Sequence, residues 1–317
     1  MSSGLRGAIL ALAAFGVYST HDVVVKLLGA SYSSFQIVFF TGLFGFPLIT
    51  MMLMRDRTDG TLIPRHPWWS AVRAVAAVGS SVFAFIAFTR LPMPQTYAIL
   101  FATPLLITVL AIPVLGERVG LRRGLAVGLG LLGVLVVLRP GGGEALSLGH
   151  AAALASAVCG ATTSIIVRRI GSRERTVVLI LYPMMLQVLG MGLLMPFFYT
   201  PMPVADMGRM AVVALLSILA GMLVIAAYRA APAAVVAPMQ YSQMIWAVFY
   251  GWLFFGEGID RWTAVGTAVI VASGLYIVQR EGQPEVSDNQ PVLATRSRLD
   301  TGQVLRGLWP RRSDRRP

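Results

Sequence analysis

The chain has 317 residues, of which 56% are hydrophobic and only 13% are charged, with a formal net charge of +12. Its mean hydropathy of +0.72 is well above that of a water-soluble domain, which needs polar residues to cover its surface. This balance excludes a water-soluble globular protein and predicts a chain that lies in a lipid bilayer.

Apolar runs of about 20 residues recur along the chain from Gly7 to Val278. A helix of that length crosses a hydrocarbon core of about 30 Å, because each residue adds about 1.5 Å. Inside a bilayer the backbone N–H and C=O groups must be paired internally, so each run is predicted to be a helix. The sequence therefore predicts an all-α integral membrane protein with ten transmembrane helices, at residues 7–28, 34–54, 68–89, 93–115, 121–138, 149–167, 176–198, 208–228, 232–255 and 261–279.

The basic residues are distributed unevenly between the two sides of the predicted membrane protein. With the N-terminus inside, the inner side carries 21 of the 26 Lys and Arg residues, and without residues 280–317 the ratio is still 13 to 5. Because cytoplasmic loops carry the excess of positive charge, both termini are predicted to be cytoplasmic, with 281–317 as a disordered basic tail. The charge thus indicates topology and not nucleic-acid binding, for which no recognition motif is present.

The chain contains an internal repeat. The segment HDVVVKLLG at 21–29 aligns with TSIIVRRIG at 163–171, and LGERVG at 115–120 aligns with FGEGID at 255–260, at offsets of 142 and 140. Each repeat (1–140 and 141–280) holds five spans, and an odd number places the second repeat upside down relative to the first. The prediction is two inverted five-helix repeats, an arrangement typical of transporters, with the solute site near the midplane.

Ten spans, two repeats, the pairs Gly116-Glu117 and Gly256-Glu257, and the segment FATPLLITVLAIPVLGERVG together resemble the EamA type of the drug/metabolite transporter superfamily. The resemblance covers about residues 5 to 280 and implies transport of small metabolites. The segment STHDVVVKLLG, followed by SSFQIVFF, is most similar to bacterial members linked to uptake of riboflavin or S-adenosylmethionine.

The first span contains three ionisable residues, His21, Asp22 and Lys26. Asp22 lies about 9 Å from the predicted outer end of the span, where a charge normally pairs or faces a cavity. Lys26 is four residues later on the same helical face, so an Asp22–Lys26 ion pair is expected. Two interpretations remain open for Asp22: structural neutralisation of Lys26, or a cavity carboxylate that exchanges a proton or binds a cationic group. His21 is either a second cavity residue or a core histidine.

Other polar residues at membrane depth are candidates for the wall of a solute site. In the ninth span Gln243 and Trp246 are three residues apart and share a helical face, with Tyr241 at its edge. An aromatic ring beside an amide suits stacking and hydrogen bonding of a planar or cationic solute, and packing between helices is the alternative. Further candidates in other spans are Gln36, Tyr97, Thr163 and Ser164, of which the last two align with His21 and Asp22 in the repeat.

We therefore expect a secondary transporter that carries a small organic metabolite across a bacterial-type inner membrane by alternating access. Uptake of a riboflavin-like or S-adenosylmethionine-like solute is the first expectation, and export of amino acids or other metabolites or drugs is the alternative. An intramembrane enzyme is the competing class, but no H-E-x-x-H or G-x-S-x-G motif is present. No catalytic residue, metal or cofactor is expected.

The driving force and the oligomeric state stay open at this stage. The chain has no Walker A motif, so direct use of ATP is not expected, and protons as the coupling ion or plain exchange of solutes remain. A monomer and a homodimer both fit the sequence.

The charge distribution makes a prediction about topology. A reporter that is active only in the periplasm should give a signal when it is fused near Asp260, in the loop between the ninth and tenth spans. The same reporter fused after Arg280 should give none, because that position is predicted to be cytoplasmic. The reverse pattern would contradict the ten-span topology.

Overall fold

The computed structural model describes residues 3–54, 62–117, 119–139, 147–170, 174–231 and 233–281. In this part of the chain all regular elements are helical. In chain order they are α1 (Ser3–Leu28), α2 (Ser34–Met54), α3 (Pro67–Arg90), α4 (Met93–Leu100), α5 (Thr103–Leu115), α6 (Leu121–Leu138), α7 (Leu148–Ile170), α8 (Thr176–Phe198), α9 (Val204–Ala230), α10 (Ala233–Val236), a 3₁₀ turn (Ala237–Ser242), α11 (Gln243–Phe255) and α12 (Arg261–Glu281). The predicted tail lies outside the described residues, apart from Glu281.

The long helices agree with the predicted spans. Among the described residues, nine helical segments are long and apolar enough to cross a membrane, with α4 and α5 counted as one segment. Their ends lie within four residues of the predicted ones. The chain is a multi-pass membrane protein.

The ninth predicted span is not one continuous helix. It consists of α10, the 3₁₀ turn and α11, and Pro238 lies in the first turn of the 3₁₀ segment, where its missing N–H interrupts α-helical hydrogen bonding. A second interruption separates α4 from α5 at residues 101–102. There Pro104 cannot donate to the carbonyl of Leu100, and the hydroxyl of Thr103 donates to it instead, at 2.7 Å.

Two of the helices end in the same kind of turn. Gly116 follows α5 and Gly256 follows α11, with φ angles of 72° and 64°, in the left-handed region that glycine adopts without a steric penalty. The next N–H groups, of Glu117 and Glu257, donate back to carbonyls of the last helical turn at 3.3 Å and 2.9 Å. Each turn therefore holds a glutamate at the end of the fourth span of its repeat.

The helices of the first half of the chain (α1–α6) interleave with those of the second half (α7–α12). Helix α1 packs against α9, α3 against α7, α2 against α8, α4 against α11, and α6 against α12. Each of these contacts joins the two halves. The pattern is what a twofold relation between the halves would give, and the inversion of the repeats stays a prediction.

Large apolar side chains point away from the helix contacts. The exposed fraction is 77% for Leu193, 72% for Ile245 and 81% for Phe197. In a water-soluble protein an exposed apolar surface of this kind would promote aggregation. In a bilayer such side chains contact lipid tails, so the exposed apolar surface agrees with a membrane protein.

Candidate functional site

A cavity of about 350 Å³ lies between the two halves of the chain. Its wall includes residues of α1 to α5 from the first half, and of α7, α8, α9, the 3₁₀ turn and α11 from the second. Along α3 the wall extends from Arg73 to Phe85, about 18 Å at 1.5 Å per residue. Both helix interruptions border the cavity, with Phe101 at the first and Gln240 at the second. Irregular backbone is tolerated at membrane depth where it lines such a cavity.

Five of the predicted site residues lie on the wall of this cavity. They come from α1, α4, α7 and α11, which are distant from one another in the sequence, and they are His21, Tyr97, Thr163, Ser164 and Gln243. The fold therefore brings together side chains from both halves around one cavity.

Asp22 lies directly behind the wall and is fully buried. Its Oδ1 is 2.8 Å from Nδ1 of His21, and its Oδ2 accepts a hydrogen bond from the hydroxyl of Tyr97. His21 and Tyr97 both line the cavity, so they connect the buried carboxylate with it. Proton exchange at Asp22 stays a prediction.

The expected ion pair between Asp22 and Lys26 is wrong. The ammonium of Lys26 lies 2.5 Å from Oε1 of Glu257 and donates to the carbonyl of Leu91 at 2.7 Å. The turn at Gly256 places Glu257 next to the end of α1, within reach of Lys26. Asp22 lies one helical turn deeper in α1 and contacts His21 and Tyr97 instead. A neighbour 231 residues away in the sequence is not visible to an argument based on helical spacing.

Gln36 is buried but has a different role from the one expected. Its Nε2 donates to the carbonyl of Thr200, and its Oε1 accepts from the N–H of the same residue, both at 2.8 Å. Both ends of the amide are therefore used to hold the start of α2 to the segment after α8. Gln36 is not among the residues of the cavity wall.

The two aromatic candidates of the ninth span pack against neighbouring helices. The ring of Trp246 is stacked on Tyr250 at a centroid distance of 5.7 Å and covers Gly16 of α1, where a Cβ would lie 3.3 Å from the indole. Tyr241 contacts the ring of Phe101 edge to face at 5.1 Å. Neither Trp246 nor Tyr241 is part of the cavity wall, so their contacts indicate packing.

Several polar atoms on the wall have no hydrogen-bond partner among the described residues. They are Nε2 of Gln243 and the hydroxyl oxygens of Thr41 and Thr163. Buried polar atoms in folded proteins are almost always paired, and an unpaired donor carries a desolvation cost of about 1–3 kcal/mol. These atoms are themselves buried within the wall, so a solute or water reaches them only when the neighbouring side chains shift.

The sequence analysis missed one charged residue of the wall. Arg73 lies six residues inside α3, is only 4% exposed and borders the cavity. It was counted as a basic residue of the inner side, although its position more than one helical turn inside a predicted span was a signal of burial. The other polar wall residues that the sequence did not single out are Tyr18, Thr41, Ser80, Ser81, Thr103, Ser156, Gln187 and Ser217, whereas Gln240 belongs to the polar group of the ninth span that includes Gln243.

The sequence profile of the EamA-like transporter family matches this chain twice, at residues 5–139 and at residues 147–279. The chain belongs to this family. The two matches together include every long helix described above, and they confirm the resemblance seen in the sequence.

Named relatives of this EamA-like protein are transporters. The pseudopaline exporter CntI of Pseudomonas aeruginosa is 25% identical over 84% of this chain and 94% of its own length. A riboflavin transporter of Rhizobium johnstonii is 28% identical over 90% and 94%, and an S-adenosylmethionine uptake transporter of Rickettsia prowazekii is 22% identical over 87% and 94%. These names support a general role in transport and point away from enzymatic catalysis.

A solved crystal structure has the same fold. It superposes with a TM-score of 0.55 at 20% sequence identity, over 84% of this chain and 95% of its own. At this identity the likeness shows the fold of the EamA-like protein and nothing about its solute.

The contrast between Gln243 and Gln36 predicts that the same substitution affects transport at one position and thermal stability at the other. Gln243→Leu should reduce uptake about three- to tenfold, the worth of one hydrogen bond to a bound solute, and should leave the thermal unfolding midpoint unchanged or higher. Gln36→Leu should lower the midpoint, because it removes both hydrogen bonds to Thr200.

The measurement is uptake of a panel of labelled metabolites, normalised to folded protein, together with thermal unfolding in detergent. A larger loss of normalised uptake in Gln36→Leu than in Gln243→Leu would contradict the assignment of Gln243 to the site.

Proposed function

We propose that this EamA-like protein is a secondary transporter that carries a small polar organic metabolite across the inner membrane by alternating access. The observation that carries the proposal is the position of the cavity, which lies between the two halves with an inter-half ion pair toward each end. The solute would occupy the cavity while the protein opens first one end and then the other.

The outer ion pair, as we call Lys26 and Glu257, closes the predicted periplasmic end. It joins α1 of the first half to the end of α11 in the second half. The second oxygen of Glu257 accepts the N–H of Met93 at 2.8 Å, and the ammonium of Lys26 also lies over the ring of Phe255 at 4.9 Å. These contacts hold three helix ends together at one point.

The inner ion pair, Arg168 and Glu117, closes the predicted cytoplasmic end. Arg168 Nη2 is 2.6 Å from Glu117 Oε1, and the pair joins α7 of the second half to the end of α5 in the first. Glu117 is buried, and a buried carboxylate is costly to leave without its partner.

The two ion pairs occupy equivalent places in the two repeats. Lys26 and Arg168 align at the offset of 142, and Glu117 and Glu257 align at the offset of 140. In each pair the cation comes from the first helix of one repeat and the glutamate from the fourth span of the other. A partly buried charge is costly when its partner leaves, so each end opens only when its pair separates and water or solute replaces the contact. Two inverted repeats that exchange conformations would break one pair while they keep the other.

For the solute, we propose uptake of a riboflavin-like or S-adenosylmethionine-like molecule. This direction is supported by the resemblance of the first two spans and by the relatives named for riboflavin and S-adenosylmethionine. Export is the second candidate, and the similarity to the pseudopaline exporter over 84% of the chain favours it.

The two ion pairs predict opposite changes in access to the cavity. Ser81 lies on the cavity wall, and Ser81→Cys in a Cys159→Ala background provides one reactive thiol there. Glu257→Gln should raise labelling by a membrane-impermeant maleimide from the periplasmic side several-fold, because it weakens the outer ion pair. Glu117→Gln should raise labelling from the cytoplasmic side, measured in inverted vesicles.

The control is Arg209→Gln, which removes an ion pair at 2.6 Å within helix α9 and should leave labelling from both sides unchanged. If Glu257→Gln and Glu117→Gln both raise labelling of the thiol from the same side of the membrane, the ion pairs do not close opposite ends and the proposal is wrong.

A further inference from the structure

One ring nitrogen of His21 is left without a partner at the cavity wall. His21 lines the cavity, and its Nδ1 lies 2.8 Å from Oδ1 of Asp22. The second nitrogen, Nε2, has no hydrogen-bond partner among the described residues. Both oxygens of Asp22 accept hydrogen bonds, as an ionised carboxylate does, so the imidazole proton belongs on Nδ1. Nε2 then carries a lone pair that can bind a proton.

Asp22 holds the imidazole in this orientation from behind the wall. The residue is fully buried, and its Oδ2 accepts a hydrogen bond from the hydroxyl of Tyr97, whose oxygen lies 3.3 Å from the hydroxyl of Ser19. On another side, the ring of Phe85 contacts the imidazole at a centroid distance of 5.9 Å. A carboxylate bonded to one ring nitrogen fixes the tautomer and the direction of the other nitrogen. A proton from the cavity is therefore bound at Nε2 of His21.

Proton binding at Nε2 changes the net charge of the pair formed by His21 and Asp22. With a neutral imidazole the pair has a charge of −1, and with an imidazolium the two charges cancel. A net charge is more costly than a neutral pair in a surrounding of low dielectric constant. Conformations that admit different amounts of water to the cavity therefore differ in how strongly they hold the proton.

The groups around this pair leave His21 as the one suited to exchange a proton. Helix α9 packs along α1 and has no titratable residue from Met210 to Ala227, and α10 has none. The titratable or charged groups that the other neighbouring elements contribute are Tyr18 and Lys26 of α1, Arg73 and Arg90 of α3, Tyr97 of α4, Tyr241 of the 3₁₀ turn, Tyr250 of α11, and Glu257. Tyrosine stays neutral and arginine stays charged at physiological pH, and Glu257 is paired with Lys26 one helical turn beyond Asp22. Histidine has an ordinary pKa of about 6.5, within the physiological range.

We propose that His21 is the proton-binding residue of the transport cycle and that Asp22 is a positioning residue behind it. This inference rests on the proposed transport function and adds the coupling ion. The proton comes from water in the cavity, forms an N–H bond at Nε2, and leaves by the same atom when the cavity opens to the other side. Of the two interpretations of Asp22, the carboxylate keeps its charge, and the imidazole exchanges the proton.

The test follows the thiol of Ser81→Cys in the Cys159→Ala background and needs no solute. The ratio of periplasmic to cytoplasmic labelling is measured from about pH 5.5 to about pH 8.5, the range in which a histidine changes its charge. The pH dependence of the thiol itself cancels in this ratio. With His21 present the ratio should change several-fold over this range, and His21→Gln should abolish the change.

The matched control is His150→Gln. His150 and His21 are equally buried, at 7% exposure. Nδ1 of His150 lies 2.8 Å from the hydroxyl of Ser147 and its Nε2 lies 3.0 Å from the amide nitrogen of Gln95, and the residue is outside the cavity wall. His150→Gln should keep the pH dependence. Asp22→Asn should lose the original response, because a proton on His21 then creates a net charge where it previously removed one.

A labelling ratio that does not change with pH would overturn the proposal, and so would a pH dependence that His21→Gln keeps or that His150→Gln loses. An original response in Asp22→Asn would overturn the role of Asp22. If His21→Gln does not fold, the proton is followed by NMR in a chain with His66→Gln and His150→Gln, in which His21 is the sole histidine. Its ring carbon signal should move over the same pH range, and a constant signal has the same meaning as an unchanged ratio. The labelling of Glu257→Gln and Glu117→Gln at one fixed pH judges the transport function separately.

Discussion

The charge of a side chain in a low-dielectric surrounding needs a partner, and this constraint organises the ends of the molecule. Lys26 with Glu257, and Arg168 with Glu117, each bring a cation from one half to a glutamate of the other at 2.5 Å and 2.6 Å. Either charge would be costly to leave alone, so in the proposed transport cycle each pair holds its end closed. The glutamates reach these places because two glycines end α5 and α11 in a left-handed turn. The same kind of glycine turn therefore positions the glutamate of both ion pairs.

In the cavity wall, several buried polar atoms have no hydrogen-bond partner among the described residues. They are the amide nitrogen of Gln243 and the hydroxyls of Thr41 and Thr163, although folded proteins normally pair their buried polar atoms. In the proposed transport cycle, the ion pairs close the two ends and the polar residues of the wall between them contact the solute. In this cycle, solute binding in the cavity supplies the free energy that offsets the separation of one ion pair at a time.

The sequence predicted the parts of the structure that depend on local chemistry. The spans followed from apolar runs of membrane length, and the repeated Gly-Glu pairs lie where α5 and α11 end. What it missed depends on contacts between distant segments. Lys26 lies near Asp22 along its own helix but pairs with Glu257 across the halves, and Trp246 shares a helical face with Gln243 but packs on Gly16. Arg73 was counted with the loops because charge near the end of a span usually reaches the interface.

Distances between spin labels test alternating access most directly. One labelled pair, at Leu27 and Phe254, reports the separation of α1 and α11, and the other, at Ile112 and Arg169, reports the separation of α5 and α7; all four residues are exposed. In a Cys159→Ala background, each pair should show a shorter and a longer distance. The fraction with the longer outer distance should rise as the fraction with the longer inner distance falls when riboflavin, S-adenosylmethionine or pH is varied. Outer and inner distances that lengthen together, or that each keep one unchanging value, would contradict the account.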